Sequence, residues 1–251
     1  MASANSIARF LNSELRVRQV PDGSRNGLQV PASREVGKVG FAVDASLAVF
    51  ERAHRLGCGL VVVHHGIRWK GLRDSLGNVR RRIEFLRRRG MGLYAAHLPL
   101  DLHPRYGNNI ELARILGLVE VERFGRYKGR FIGYRGRFDR PRSIGSVALR
   151  LRGAIGGRPV KLAFGRSRIR TVGIVSGGGA DALAEAVRKG LDLFITGEAP
   201  HHVYHDARDA RMNVMVAGHY ETETVGVKAL MPLLRERFGV KTAFIDVSTP
   251  F

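Results

Sequence analysis

The chain has 251 residues, 44% of them hydrophobic, enough for one large domain or two modest ones with real cores, so disorder is not the expected state. Lys+Arg number 42 against 22 Asp+Glu, for a net charge of +20, and Arg outnumbers Lys 35 to 7. An anionic partner and an arginine-rich solvated surface both fit that balance. No run reaches the roughly 18 apolar residues of a membrane-spanning helix, and the first residues lack the apolar stretch of a signal peptide. The single cysteine, Cys58, has no partner for a disulfide or a thiolate zinc site. The expectation is a soluble, cytoplasmic protein without membrane association, in which Cys58 is a small buried hydrophobe.

In chain order, short apolar runs predict strands at Val39–Val43, Leu60–Val63, Leu93–Ala96, Thr171–Val175, Leu191–Ile195 and Val214–Ala217. Each is a continuous run, as expected for strands covered on both faces. Amphipathic stretches between them predict helices at Ser46–Leu56, Asn78–Arg89, Asn109–Leu116, Ala180–Lys189 and Thr224–Phe238. The fold class is α/β, with mostly parallel sheets flanked by helices. From about Phe124 to Gly165 the pattern changes to mixed Gly, Arg and aromatics (FGRYKGRFIGYRGRF), which reads as a hairpin. The expected organisation is a discontinuous metal-binding α/β domain, residues 1–123 with 215–251, and an inserted basic α/β domain, residues 124–214. Most of the charge sits in that insertion: Arg123 to Arg170 holds 15 basic residues and one acid, Asp139, for a net +14.

The chemistry-bearing residues follow three of the predicted strands. His64 and His65 end the run LVVV, at the rim where open α/β sheets place their ligands. Adjacent strand side chains diverge, so one metal takes both only if the chain bends, and two ions with one imidazole each are simpler. His97 and Asp101 follow LYAA, and Pro99 argues for a loop there. His219 and Glu223 follow VMVA at the start of a helix, four apart and hence on one face. Any one of these sites fits ordinary structural residues. Together they offer four imidazoles and two carboxylates, and two mutually repelling cations need such neutralising or bridging carboxylates. The economical reading is a dinuclear centre of two divalent ions per chain. A thiolate-free donor set suits Zn, Fe, Mn or Ni without choosing among them.

The segments VHHGIRWKG, YAAHLPLDLHPRYGNN, DLFITGEA and AGHYETETVG, in that order, resemble the signatures of the Nif-three-like dinuclear metal-centre family, also called GTP cyclohydrolase 1 type 2 homologues. The resemblance runs from Asn26 to the C-terminal FIDVSTP, nearly the whole chain. The family pattern of paired His, His-x3-Asp and His-x3-Glu falls on His64, His65, His97, Asp101, His219 and Glu223. The resemblance implies two α/β domains with the metals in the cleft between them and a toroidal homohexamer. It further implies hydrolysis of GTP or a related nucleotide, that is, an anionic small-molecule substrate. Gly177, Gly178 and Gly179 and the Thr196–Glu198 segment look like family elements lining that cleft. His201 and His202 are extra relative to the pattern, whereas His205 fits it.

Several readings stay open at this level. The glycines after Ser176 suit anion binding through their N–H groups or a tight turn with close helix packing. Glu198 and His205 are candidate proton carriers, while His201 and His202 read as a solvated helix face. Trp69 and Tyr220 could stack a base or pack the site. Two further functions compete with a metal-dependent hydrolase. One is a ring protein that binds DNA or RNA through the basic 123–170 segment, and the other is a non-catalytic metal-binding scaffold.

Overall fold

The structure, a computed structural model, describes every residue except Met1, Arg34, Leu72, Ser75 and Phe251. Its elements run α1 (Ala4–Glu14), β1 (Gly27–Val30), β2 (Lys38–Asp44), α2 (Leu47–Arg55), β3 (Leu60–His65), α3 (Asn78–Arg88), β4 (Gly92–Ala95) and α4 (Leu98–Asp101). Then follow α5 (Asn108–Leu116), β5 (Val119–Tyr127), β6 (Arg130–Ser143), α6 (Ile144–Ile155), β7 (Val160–Ala163) and β8 (Arg168–Val175). The chain ends with α7 (Leu183–Arg188), β9 (Leu193–Thr196), α8 (Val203–Asp209), β10 (Asn213–Val216), α9 (His219–Phe238) and β11 (Lys241–Phe244). Among the described residues, no helix is long and apolar enough to cross a membrane.

Two compact units divide the chain, one formed by Met1–His103 with Val227–Val247 and the other by Pro104–Gly226 with the residues from Ser248. The boundaries differ from the expected ones, so that residues 104–123 and 215–226 belong to the second unit. The physical reason is packing. Leu112, Ala113 and Leu116 of α5 share a buried core with Phe138, Val172 and Ile174 of β6 and β8, and Met215 and Ala217 join the same core.

The first unit has a five-stranded sheet in the order β1-β4-β3-β2-β11, parallel throughout except for β1, which is antiparallel to β4 at the edge. Val61 and Val63 of β3 pack in one core with Val49, Phe50 and Ala53 of α2 and Leu86 of α3. The Ser46 hydroxyl caps α2 by accepting from the Val49 N–H at 3.2 Å. Cys58 lies in the same core, where burial pushes its thiol up to about 11, which removes it as a nucleophile near neutral pH.

The second unit has a six-stranded sheet in the order β5-β6-β8-β9-β10-β7. Here β8, β9 and β10 are parallel, and β5, β6 and β7 pair antiparallel, so this sheet is mixed rather than mostly parallel. The basic stretch from Phe124 does hold a hairpin, but the hairpin starts at Val119 and is followed by α6. The stretch 180–189, expected as one helix, starts as a 3-10 turn (Ala180–Ala182) before α7. Pro99 does not exclude a helix: it sits in the first turn of α4, where no helical N–H is lost.

Candidate metal centre

In the first unit the ligand candidates sit at the C-terminal ends of two adjacent parallel strands, β3 and β4. His64 and His65 close β3, and His97 follows β4 as the cap of α4. Their rings converge rather than diverge: centroids lie 4.7 Å apart for His64 and His65, 5.0 Å for His64 and His97, and 5.6 Å for His65 and His97. One nitrogen from each of the three falls within 4.8 Å of the other two, close enough to share a cation. Gly66 follows His64 and His65 where the backbone is closely approached, so that a side chain there would strike Gln29 at 2.2 Å and Ala95 at 2.7 Å. Gln29 fixes the turn, accepting from the Ile67 N–H at 2.8 Å and donating to the Arg25 carbonyl at 2.6 Å.

Each imidazole is oriented through its Nδ1. His64 Nδ1 donates to the Ala96 carbonyl at 3.0 Å, His65 Nδ1 to Asp44 at 2.8 Å, and His97 Nδ1 to Asp22 at 3.0 Å. These oxygens can only accept, so the proton belongs on Nδ1 and the lone pair is left on Nε2. His64 Nε2 lies 3.4 Å from Asp101 Oδ2, which brings the carboxylate of α4 to the ring cluster. Asp22 is the most heavily used acceptor, taking hydrogen bonds from His97 Nδ1, the Leu98 and Ser24 N–H groups and Asn26 Nδ2. Burial alone would raise its pKa, but the hydrogen bond and charge of His97, helped by Asn26 and Ser24, outweigh burial and hold it at about 2. Trp69 donates its indole N–H to the Gly66 carbonyl at 2.8 Å, and its ring lies 4.9 Å from that of His97. It therefore walls the imidazole cluster.

In the second unit the same plan recurs at the ends of β8, β9 and β10. His219 opens α9, with Nε2 3.2 Å from Glu223 Oε2 and Nδ1 3.0 Å from Glu198 Oε2. Burial would lower the His219 pKa, but Glu223 and then Glu198 outweigh burial and raise it to about 9. Glu198 thus orients an imidazole, as Asp44 and Asp22 do in the first unit. Gly177 is left-handed at φ +59°, and a side chain on it would fall 2.1 Å from Glu223 Oε1. Its N–H donates to Thr222 Oγ1 at 3.1 Å, and its carbonyl accepts from Gly197 and Glu198 at 3.0 Å. The turn therefore clears space for the carboxylate, and the Gly177 N–H is already used within the protein. Gly178 faces Glu198, and Gly179 packs on Val175.

Tyr220 is buried in the first turn of α9. His205 lies on the exposed face of α8 with its ring against Tyr204 and His201, and His202 lies 3.9 Å from Asp206. Sequence reasoning missed Asp22 and Asp44. Asp44 carried a signal, because it ends β2 beside the His65 end of β3, whereas Asp22 sits in a turn with no periodicity to mark it.

The sequence profile described as Duf34/NIF3 (NGG1p interacting factor 3) matches residues 2–250. A protein of Archaeoglobus fulgidus named GTP cyclohydrolase 1 type 2 homolog is 45% identical over 243 residues, covering 97% of each chain. A namesake from Pyrococcus horikoshii is 46% identical over 246 residues, covering 98% of each. Among solved structures, TTHA1606 from Thermus thermophilus superposes with a TM-score of 0.91 at 40% identity, covering 99% of this chain and 100% of its own. Protein ybgI, of unknown function, superposes with a TM-score of 0.92 at 33% identity and the same coverage. The oriented histidines and the strand-end carboxylates are thus features of a chain that belongs to the Duf34/NIF3 family.

Proposed function

We propose that the protein is a dinuclear metal-dependent hydrolase, with His64, His65, His97, Asp101, His219 and Glu223 holding two divalent ions per chain. The observation that carries this reading is the shared orientation of the imidazoles. A buried structural histidine needs one satisfied nitrogen in any direction, whereas three neighbours each anchored through Nδ1, with their ligand atoms within 4.8 Å, form a preset cradle for a cation. The donors fit Zn, Fe, Mn or Ni: neutral imidazole nitrogens and carboxylate oxygens without thiolate. Divalent ions in such a centre supply Lewis acidity and a water that ionises near neutral pH.

The residues around the ligands hold the geometry. Ala96, Asp44, Asp22 and Glu198 fix the tautomers, and Trp69 screens one side of the His97 ring. Glu198, at half-exposure beside His219, is the carboxylate best placed to take or return a proton. His205 has no such placement and drops behind it. The relatives' name points to attack on the purine of GTP. The chemistry of the site asks only for an anionic substrate with a bond that hydroxide can attack.

The test is to load the purified protein with each candidate metal in turn, incubate it with GTP and other nucleotides, and follow products by mass spectrometry. Formate release or nucleotide hydrolysis that depends on metal, and disappears in His97→Ala, supports the reading. A fully loaded protein that turns over no nucleotide leaves a metal-binding scaffold as the better account. The family resemblance also supports a homohexameric ring. Light scattering is expected to give about six times the 27.7 kDa chain mass, and a stable monomer at micromolar concentration would count against the ring.

A further inference from the structure

We propose that the tip of the β5–β6 hairpin binds single-stranded nucleic acid, gripping phosphates with Arg126, Lys128 and Arg130 and stacking bases on Tyr127 on one face of the ribbon and on Phe131 on the other. The inference is independent of the metal centre. It rests on how the basic segment divides once it is folded. Lower in the hairpin the cations are consumed locally: Arg135 pairs with Glu122 at 2.6 Å, and Arg137 pairs with Glu120 and also lies 3.8 Å from Asp139. Glu120 and Glu122 lie just before the stretch whose net charge is +14, so that figure overstates the free charge there.

At the tip the situation reverses. Tyr127 pairs with Arg130 and Arg126 with Phe131 across the ladder, and Lys128 and Gly129 make the two-residue turn with φ of +46° and +80°. Both positive angles mark a turn type that favours Asn or Gly, so a lysine is held there against backbone preference. Among the described residues, no carboxylate stands within ion-pair reach of the Arg126, Lys128 or Arg130 side chains. The nearby Glu185 accepts the Arg126 backbone N–H at 2.8 Å and faces Lys189 at 3.9 Å.

The rings decide between a generic basic surface and a nucleic-acid surface. Tyr127 and Phe131 are each 37% exposed, although aromatic side chains gain most from burial. Each keeps a cation over its face, Lys128 at 5.0 Å from the Tyr127 centroid and Arg126 at 5.1 Å from that of Phe131. A base stacking on either ring would take the face that the cation now covers, leaving that cation beside it for the adjoining phosphate, the combination that sequence-tolerant single-strand binding uses. Duplex DNA hides its base faces and would engage the cations alone.

Fluorescence anisotropy with labelled oligothymidylate and oligouridylate, matched duplex DNA and inorganic polyphosphate tests this on the full-length, metal-loaded protein. Single strands are expected to bind more tightly than duplex. Log affinity should fall linearly with log salt at a slope of roughly −2, as three neutralised phosphates imply for single strands. Tyr127→Ala with Phe131→Ala should weaken oligonucleotide binding roughly tenfold or more while leaving polyphosphate binding and metal content unchanged. The exchange Tyr127→Phe with Phe131→Tyr should restore it, which separates stacking from hairpin damage. Arg126→Ser with Arg130→Ser should flatten the salt slope. No single-strand binding at low salt, equal affinity for duplex, or unchanged oligonucleotide binding in the double alanine variant would each overturn the proposal.

Discussion

Purified protein reconstituted with Zn, Mn, Fe or Ni and freed of excess metal is expected to retain about two ions per chain, and Asp101→Ala is expected to remove at least half of that content. The size of the effect follows from where Asp101 sits. It is the carboxylate 3.4 Å from His64 Nε2, it is buried, and α4 holds it through its own N–H donating to the His97 carbonyl at 3.2 Å. Without it, the cations lose one of the two carboxylates proposed to hold them in a site of low dielectric, where charge is expensive to leave uncompensated. His65→Ala should act similarly by removing one donor from the cradle. Elemental analysis of the parent and both variants, loaded and dialysed side by side, reads the result. A parent that retains no metal after loading would remove the dinuclear reading, and full retention in Asp101→Ala would remove this carboxylate from it.

How much of this was legible beforehand depends on the kind of signal each residue leaves. Val61–Val63 and Val214–Val216 announce buried parallel strands because both faces must be apolar, so the strands ending in His65 and preceding His219 were readable, and with them the ligand positions. The convergence of His64 and His65 was not, because their rings are aimed by partners remote in sequence, His64 by the Ala96 carbonyl and His65 by Asp44. The domain boundary moved for a similar reason: α5 is an ordinary amphipathic helix whose partner sheet only the tertiary fold selects. Counting charge located the basic segment but missed the ion pairs to Glu120 and Glu122 that neutralise its middle.

Asp22→Asn is expected to reduce metal affinity by about 10–100-fold, the usual scale for a residue that orients a ligand, although Asp22 is not expected to touch the ions. Its carboxylate takes four donors on two oxygens, among them His97 Nδ1 and the Leu98 N–H that sets the start of α4. An asparagine offers one acceptor oxygen and an N–H₂ group in place of the other, so either Leu98 and Asn26, which share Oδ2, or Ser24 on Oδ1 lose their acceptor, and the amide N–H₂ can donate to His97 Nδ1 and so reverse its tautomer. Asp44→Asn should cost less, since Asp44 is 37% exposed and makes a single bond to His65, whereas the Asp22 side chain is only 3% exposed. The same substitution changes the metal-free protein's response to acid. Asp22 titrates at about 2 in the fold against an ordinary value of 3.8. With allowance for solvent screening, it contributes about 1–2 kcal/mol of stability that is present above roughly pH 4 and lost as pH falls through about 2. Denaturant unfolding of the metal-free parent and Asp22→Asn should therefore show a gap that is widest near neutral pH and narrows below about pH 4. A gap independent of pH, combined with unchanged metal affinity, would mean that Asp22 braces only the turn before α4 and does not position His97.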